Sequence, residues 1–116
     1  MNGYEIYNKV LTRLGFKRFE TGAKDSGLLS RTLELINQIC LDLNLKEIKN
    51  LNEDMMFTPK EKEALICGVA MLFSLSEGDS EKNKIYTDLY NAKRSAVLSK
   101  TSQIEDVLPK ASNEVG

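Results

Sequence analysis

An uncharged apolar run near the middle of the chain constrains the fold more than any other feature of the sequence. From Ala64 to Leu75 the stretch ALICGVAMLFSL contains no charged side chain. As a helix, this run would cross little more than half of a hydrocarbon core, which needs about twenty residues at about 1.5 Å each. A membrane span is therefore not expected. A helix that is apolar on every side must be buried by protein, either from this chain or from its neighbours.

The periodicity of apolar residues predicts an all-α fold, a small bundle of four helices. Apolar stripes and the stop signal at Gly15 predict helices over residues 4–14 and 26–43. Thr58, Pro59 and Glu61 supply a cap, a first-turn proline and a capping-box acid for a third helix over 59–77. Gly78 can end that helix, and a fourth is predicted over 80–99. Two apolar patches are predicted on this fourth helix, Ile85, Leu89, Ala92 and Ala96 on one face and Tyr86, Tyr90 and Val97 beside them.

Two segments lack a helical pattern. Residues 44–57 break the period but contain no glycine or proline, which predicts an ordered loop. Residues 101–116 show no helical stripe and predict an extended tail that does not pack by itself. The length of 116 residues suits one domain, so we expect a helical domain over 1–100 and a separate tail over 101–116.

Charge and cysteine usage restrict the classes of partner. Sixteen basic and seventeen acidic residues nearly cancel, so no strong attraction to nucleic acid or anionic lipid is expected. The charge is arranged in blocks, net −3 over residues 25–57 and net +2 over 78–100, which suits contacts between copies but is also ordinary for a solvated surface. Cys40 and Cys67 lie in apolar surroundings with no histidine in the chain, which predicts buried thiols. The amino terminus has no secretion signal, so residence in a cytoplasm is expected.

The sequence offers little for catalysis or for specific DNA binding. It contains no histidine, no nucleophile elbow, no phosphate loop and no carboxylate pair with metal-ligand spacing, so we expect no enzymatic activity, no metal and no cofactor. The third and fourth helices could be taken for a helix-turn-helix with Lys82, Asn83 and Lys84 as base readers. The scaffold helix of that motif is amphipathic, however, whereas the third helix is apolar all round.

Small residues on the third helix indicate close packing. Cys67, Ala70 and Ser74 share one side, and Gly68 lies on another. Glycine within a helix costs about 1 kcal/mol relative to alanine, and close approach of a second helix would offset that cost. The partner helix can belong to the same chain or to a neighbouring subunit.

The order of these features resembles the head-to-tail connector proteins, also called adaptor or head-completion proteins, of tailed double-stranded DNA phages. The likeness covers about residues 1–100. It includes the apolar helix with GVAMLF, the Gly-Asp turn and the helix carrying IYTDLYNAKRSAV. The fourth helix matches a "YNxxr" pattern of that family at Tyr90, Asn91 and Arg94. The third helix matches the family's small-residue pattern at Ala64, Leu65, Gly68, Ala70 and Leu72.

The resemblance implies a non-enzymatic virion protein of the neck, between head and tail. It would form a closed ring of about twelve copies beneath the portal, assembled in the host cytoplasm, and extend the DNA channel towards the tail. Its partners would be further copies of itself, the portal protein, a further neck or tail-completion protein and, transiently and without sequence preference, the packaged DNA. Ring neighbours would cover those sides of the third helix that its own chain leaves open.

An apolar cluster in the tail is the predicted attachment to the portal. Ile104, Val107 and Leu108 precede Pro109 in an otherwise polar segment that could order against a partner. A second interpretation stays open beside the connector. In it the chain is a small helical regulatory or protein-binding module that acts as a monomer or dimer.

Overall fold

The computed structural model describes residues 1–15 and 26–110, with the backbone alone for 26–28 and 100–110. This part of the chain contains four helices. They are α1 (Gly3–Leu14), α2 (Ser26–Asp42), α3 (Pro59–Ser76) and α4 (Ser80–Lys110). The only extended pairing among the described residues is an isolated antiparallel bridge between Asn2 and Asp54. The all-α prediction is confirmed, and the first three helices agree with their predicted limits to within one residue.

The fourth helix is longer than the sequence predicted. It continues from the expected end at Ser99 to Lys110, so residues 101–110 are helical and not extended, and residues 111–116 lie outside the described part. The segment has no apolar stripe long enough to predict a helix by itself. It does, however, follow a well-formed helix directly, and no glycine interrupts the junction between them. Residues such as Gln103 and Glu105 also favour the helical state. Propagating a helix needs no new nucleus, so a weak segment can continue one.

Local capping fixes the helix ends that the sequence predicted best. Thr58 Oγ1 accepts a hydrogen bond from the Glu61 N–H at 3.2 Å, and the Glu61 carboxylate accepts one from the Thr58 N–H at 2.8 Å. This is the reciprocal capping box that the Thr-Pro-Lys-Glu sequence indicates. Gly15 and Gly78 adopt positive φ angles of 86° and 74°, as helix-ending glycines do. Asn2 and Glu5 form a second capping box at the start of α1, which the sequence analysis missed.

α3 is the central helix of the bundle and contacts α1, α2 and α4. Its residues from Ala64 to Ala70 are all buried within the single chain, as are Phe73 and Ser74. Covering of this stretch by ring neighbours, as the resemblance implied, is therefore not needed. In the rest of the run, Met71 and Leu72 are half-buried and Leu75 at the carboxy-terminal end is exposed. Most of the apolar run is thus part of the core of the fold.

The loop between α2 and α3 is ordered, as predicted. The side-chain amide of Asn37 on α2 bonds both backbone polar groups of Ile48. Its amide nitrogen donates to the carbonyl at 2.8 Å and its oxygen accepts from the N–H at 2.9 Å. The loop also bonds to the chain start, since the Tyr4 N–H donates to the Leu51 carbonyl. Buried Ile48, Leu51 and Met55 then join the core.

Candidate interaction surfaces

Tyr90 and Arg94, two of the three positions in the YNxxr pattern, converge on one carboxylate of α2. The Tyr90 hydroxyl and the Arg94 Nε both donate to Asp42 Oδ2, the latter at 2.8 Å. Burial of Tyr90, together with its bond to Asp42, raises the pKa of the phenol well above its usual range. Asn91, between them in sequence, is exposed. The pattern therefore fixes α4 to the carboxy-terminal end of α2 and leaves one amide free for outside contacts.

Gly68 lies where α2 and α4 both approach α3. A Cβ atom built on Gly68 would lie 2.8 Å from Ile39 Cγ2 and 2.9 Å from Tyr90 Cε1. A side chain of any kind would therefore collide with both helices. Cys67, Ala70 and Ser74, which were predicted to pack closely against a helix or a subunit, are also fully buried in the single chain. All four small residues thus pack inside the bundle and none is available for a subunit contact.

Arg13 joins α1 to α3 through a two-pronged ion pair. Its Nη1 and Nη2 atoms donate to Glu63 Oε2 and Oε1 at 2.6 and 2.9 Å. The Arg13 guanidinium lowers the pKa of the Glu63 carboxyl, and the pair is half-exposed, so its contribution to stability is modest. Cys67 Sγ lies 3.8 Å from both charged groups, and burial raises the pKa of its thiol. A thiol that is buried and protonated is a poor nucleophile.

Two of the three residues that a helix-turn-helix would use to read DNA already bond to the rest of the bundle. Lys82 Nζ donates to the Leu14 carbonyl at the end of α1, where helix carbonyls lack partners. Asn83 Nδ2 donates to the Met71 carbonyl of α3 at 2.8 Å. Lys84 is exposed and is the only one of the three without such a bond. These contacts disfavour a groove-reading role for the start of α4.

The apolar face predicted on α4 points away from the core. Ile85 and Leu89 are 52% and 42% exposed, and Ala92 and Ala96 are exposed as well. The buried face is instead the neighbouring patch of Tyr86, Tyr90 and Val97, with Tyr86 half-buried. We call Ile85, Leu89, Ala92 and Ala96 the α4 stripe. Outside the stripe, three further large apolar side chains are exposed in the described part of the chain, Leu41, Met56 and Leu75.

A shallow cleft adjoins the α4 stripe at Ala96. It has a volume of about 310 Å³ and lies between the first turns of α3 and the middle of α4. Its lining is mainly apolar with a basic edge, formed by Pro59, Lys60, Glu63, Lys93 and Ala96. Because the Glu63 carboxylate is held by Arg13, the free charges at the cleft are those of the two lysines. The cleft therefore suits an apolar side chain with an acidic neighbour.

The predicted docking residues Ile104, Val107 and Leu108 lie on the helical backbone of α4, and their side chains fall outside the described residues. Their helical register is nevertheless defined. Ile104 and Leu108 follow Val97 by about two and three turns, so they continue the line of the buried patch. Val107 follows Ala96 by about three turns and continues the line of the α4 stripe. The three residues are thus divided between two faces of one helix.

α4 extends well past the helix against which it packs. Its 31 residues span about 46 Å, whereas the 18 residues of α3 span about 27 Å. Because the two helices run antiparallel from the turn at Gly78, Pro59 at the start of α3 lies opposite residues near Val97. The remaining part of α4, up to Lys110, reaches about 20 Å beyond the start of α3.

Across residues 1–15 and 26–110, no group of three or more metal-ligating side chains occurs, and no helix is long and apolar enough to cross a membrane. No protein-family model, no curated protein and no solved structure matches the chain.

Two contributors to these surfaces were not identified from the sequence. They are Asp42 and Glu63, which no sequence pattern singled out. Each is the acceptor for an arginine that is 50 or more residues away along the chain. Single acidic residues carry no signal for such distant partners.

Proposed function

We propose that the chain is a structural connector, or adaptor, of a tailed double-stranded DNA phage. Copies of it form a ring beneath the portal, extend the DNA channel and join the head to the tail. The likeness of residues 1–100 to that family motivates the proposal, and three features of the bundle support it. They are the internal bonds of Tyr90 and Arg94, the exposed apolar side chains and the length of α4.

The overhang of α4 is the observation that supports the proposal most. By its length, α4 reaches about 20 Å past the start of α3, the helix against which it packs in the bundle. Ile104 and Leu108 lie on the same line of α4 as the buried Tyr90 and Val97. The apolar pattern that packs inside the bundle is therefore repeated in the part of α4 that extends past α3. An apolar stripe that extends past its own core is the form that helix-in-groove docking requires. The portal is the partner that we assign to it.

Helical docking differs from the extended docking that the sequence predicted. In the extended form, alternate residues would meet the partner. In the helical form, Ile104 and Leu108 lie one turn apart on one face and Val107 lies on the adjacent face. We therefore expect Ile104 and Leu108 to contribute more to attachment than Val107.

The test is attachment to the portal protein encoded beside this chain. We expect the purified wild type to bind portal particles and a variant with Ile104→Ser and Leu108→Ser to lose that binding while its helical signal persists. A Lys84→Ser, Ser95→Ala variant is the matched control, since it changes two exposed residues on the packed part of α4 and should bind normally. Full attachment of the Ile104→Ser, Leu108→Ser variant would show that the docking surface lies on the bundle.

A regulatory or protein-binding module is the second candidate, and the α4 stripe is the observation that favours it. Exposed Ile85 and Leu89 on a helix can accept a partner helix without any ring. Nucleic-acid binding separates the regulatory form of this candidate from the connector. A connector should show weak, salt-sensitive binding without sequence preference, because the described surface has no basic and aromatic platform. Tight binding to one short duplex at physiological salt would favour a regulator.

A further inference from the structure

The α4 stripe has the register of a coiled-coil seam. Ile85, Leu89, Ala92 and Ala96 are spaced by four, three and four residues, which assigns them to positions d, a, d and a of a heptad. All four are exposed in the single chain. The two alanines leave room for a second helix to approach closely, and the isoleucine and leucine supply apolar area. A surface of this form lacks only a partner helix.

The charges beside the seam indicate which partner fits. Asp88 occupies position g of one heptad and Lys93 occupies position e of the next, on opposite flanks of the seam. Asp88 is exposed and Lys93 is half-exposed, and neither forms a salt bridge with another described residue. In a parallel pair, residue g of one helix faces residue e of the following heptad on the other. Asp88 of each copy would then face Lys93 of its partner, twice per pair.

An antiparallel pair would not match these two charges. There g faces g and e faces e, and overlap of the whole stripe places Ile85 opposite Ala96 and Leu89 opposite Ala92. In that register Asp88 lies opposite Ser95 and Lys93 lies opposite Tyr86, so no opposite charges meet. Asp88 and Lys93 are therefore matched with each other in the parallel arrangement alone.

We propose that two copies of this chain pair in parallel through the α4 stripe, with Asp88 of each copy bonded to Lys93 of the other. The contact is two-fold and closes after two copies, whereas a ring requires head-to-tail contacts. It therefore does not rest on the connector proposal, and either can fail without the other. Because the seam covers only about two heptads and half of it is alanine, it is far smaller than the roughly 800 Å² per partner of a standard stable complex. The pair is weak, with a dissociation constant on the order of 100 µM.

Sedimentation analysis of the purified full chain at concentrations up to about 1 mM tests the pair, because that range brackets the expected constant. We expect the wild type to dimerise and both Asp88→Lys and Lys93→Asp to raise the dissociation constant by about tenfold, since each converts two attractive pairs into two repulsive ones. The double variant, Asp88→Lys with Lys93→Asp, should return to within about threefold of the wild type, because the pairs are restored with their signs exchanged.

Matched controls make the same charge changes elsewhere. Glu34→Lys alters an exposed acid on α2 and Lys84→Asp alters an exposed lysine of α4 away from the seam. Both should leave the dissociation constant unchanged. Leu89→Ser should abolish pairing without changing the melting temperature by more than about 3 °C, since the side chain is exposed in the monomer.

Three results would overturn the proposal. A wild type that stays monomeric through the whole range would show that the stripe does not pair. A dimer that is insensitive to Leu89→Ser and to both single charge reversals would show that it uses another surface. A double charge variant as weak as the single variants would exclude the parallel register.

Discussion

Substituting Gly68 with alanine sets two opposing effects against each other, and the structure indicates which prevails. Alanine is favoured over glycine inside a helix by about 1 kcal/mol. Against that gain, the new Cβ atom would lie 2.8 Å from Ile39 Cγ2, 2.9 Å from Ile39 Cδ1 and 2.9 Å from Tyr90 Cε1. The outcome depends on whether these atoms can move.

Only one of the three contacts is easily relieved. Ile39 Cδ1 is the end of a flexible chain and can rotate away, but Cγ2 is attached directly to the branched Cβ of a helical residue. The Tyr90 ring is held by the bond from its hydroxyl to Asp42. Overpacking of this kind costs about 1 to 3 kcal/mol, which exceeds the gain in helix propensity over most of the range. We expect a net loss of up to about 2 kcal/mol, or several degrees in melting temperature.

Thermal and urea unfolding of Gly68→Ala measure the effect directly. Ser95→Ala is the control, since Ser95 is exposed on α4 and its substitution reports helix propensity alone. A second variant, Ile39→Ala, removes the two crowding atoms of Ile39 and leaves that of Tyr90. The loss caused by Gly68→Ala should be smaller in that background by at least about 0.5 kcal/mol. A Gly68→Ala protein that is more stable than the wild type would refute the close approach of α2 and α4 to α3.

Four further outcomes follow from described contacts. Ala70→Leu should lower the free energy of unfolding by about 1 to 3 kcal/mol, because Ala70 is fully buried, and an unchanged thermal melt would mean loose packing there. Tyr90→Phe should cost about 0.5 to 1.5 kcal/mol in urea unfolding, since the hydroxyl bonds a carboxylate between helices, and a stability equal to the wild type would contradict that bond. Burial raises the pKa of Cys40 to about 11, so its thiol should react with a disulfide reagent only after denaturation; prompt labelling of the native protein would refute the burial. Arg13 lowers the pKa of Glu63, so the pair stabilises the fold above about pH 4.5 and this contribution is lost as the pH falls through the lowered value. Glu63→Gln should accordingly reduce the acid dependence of the urea midpoint, and an unaltered dependence would show that the pair contributes nothing.

Features that depend on neighbouring residues could be predicted from the sequence. The start of α3 is fixed by Thr58, Pro59 and Glu61, and its end by Gly78, and all of these act within one turn. The burial of Cys40 and Cys67 also followed from their apolar surroundings. The number of helices and the identity of the core helix could be predicted for the same reason, because both depend on patterns within short stretches of sequence.

Features that depend on distant residues could not be predicted. Periodicity identified two apolar patches on α4 but could not decide which faces the core, because that depends on how α4 is placed against α3 and α2. The carboxylate that accepts from both Tyr90 and Arg94 could not be predicted for the same reason, since Asp42 is 48 positions from Tyr90. The length of α4 was missed because the segment after Ser99 is a weak helix former that continues a strong one.

The position of this chain in an assembled particle is the most direct test of the connector proposal. If the proposal holds, electron cryomicroscopy of intact particles of the phage that it implies, with averaging about the neck, would locate the chain. The proposal predicts a ring of four-helix bundles immediately beneath the portal, with the far end of each α4 seated on the portal surface. A neck without density for this bundle, in particles that also lack the chain by mass spectrometry, would contradict it.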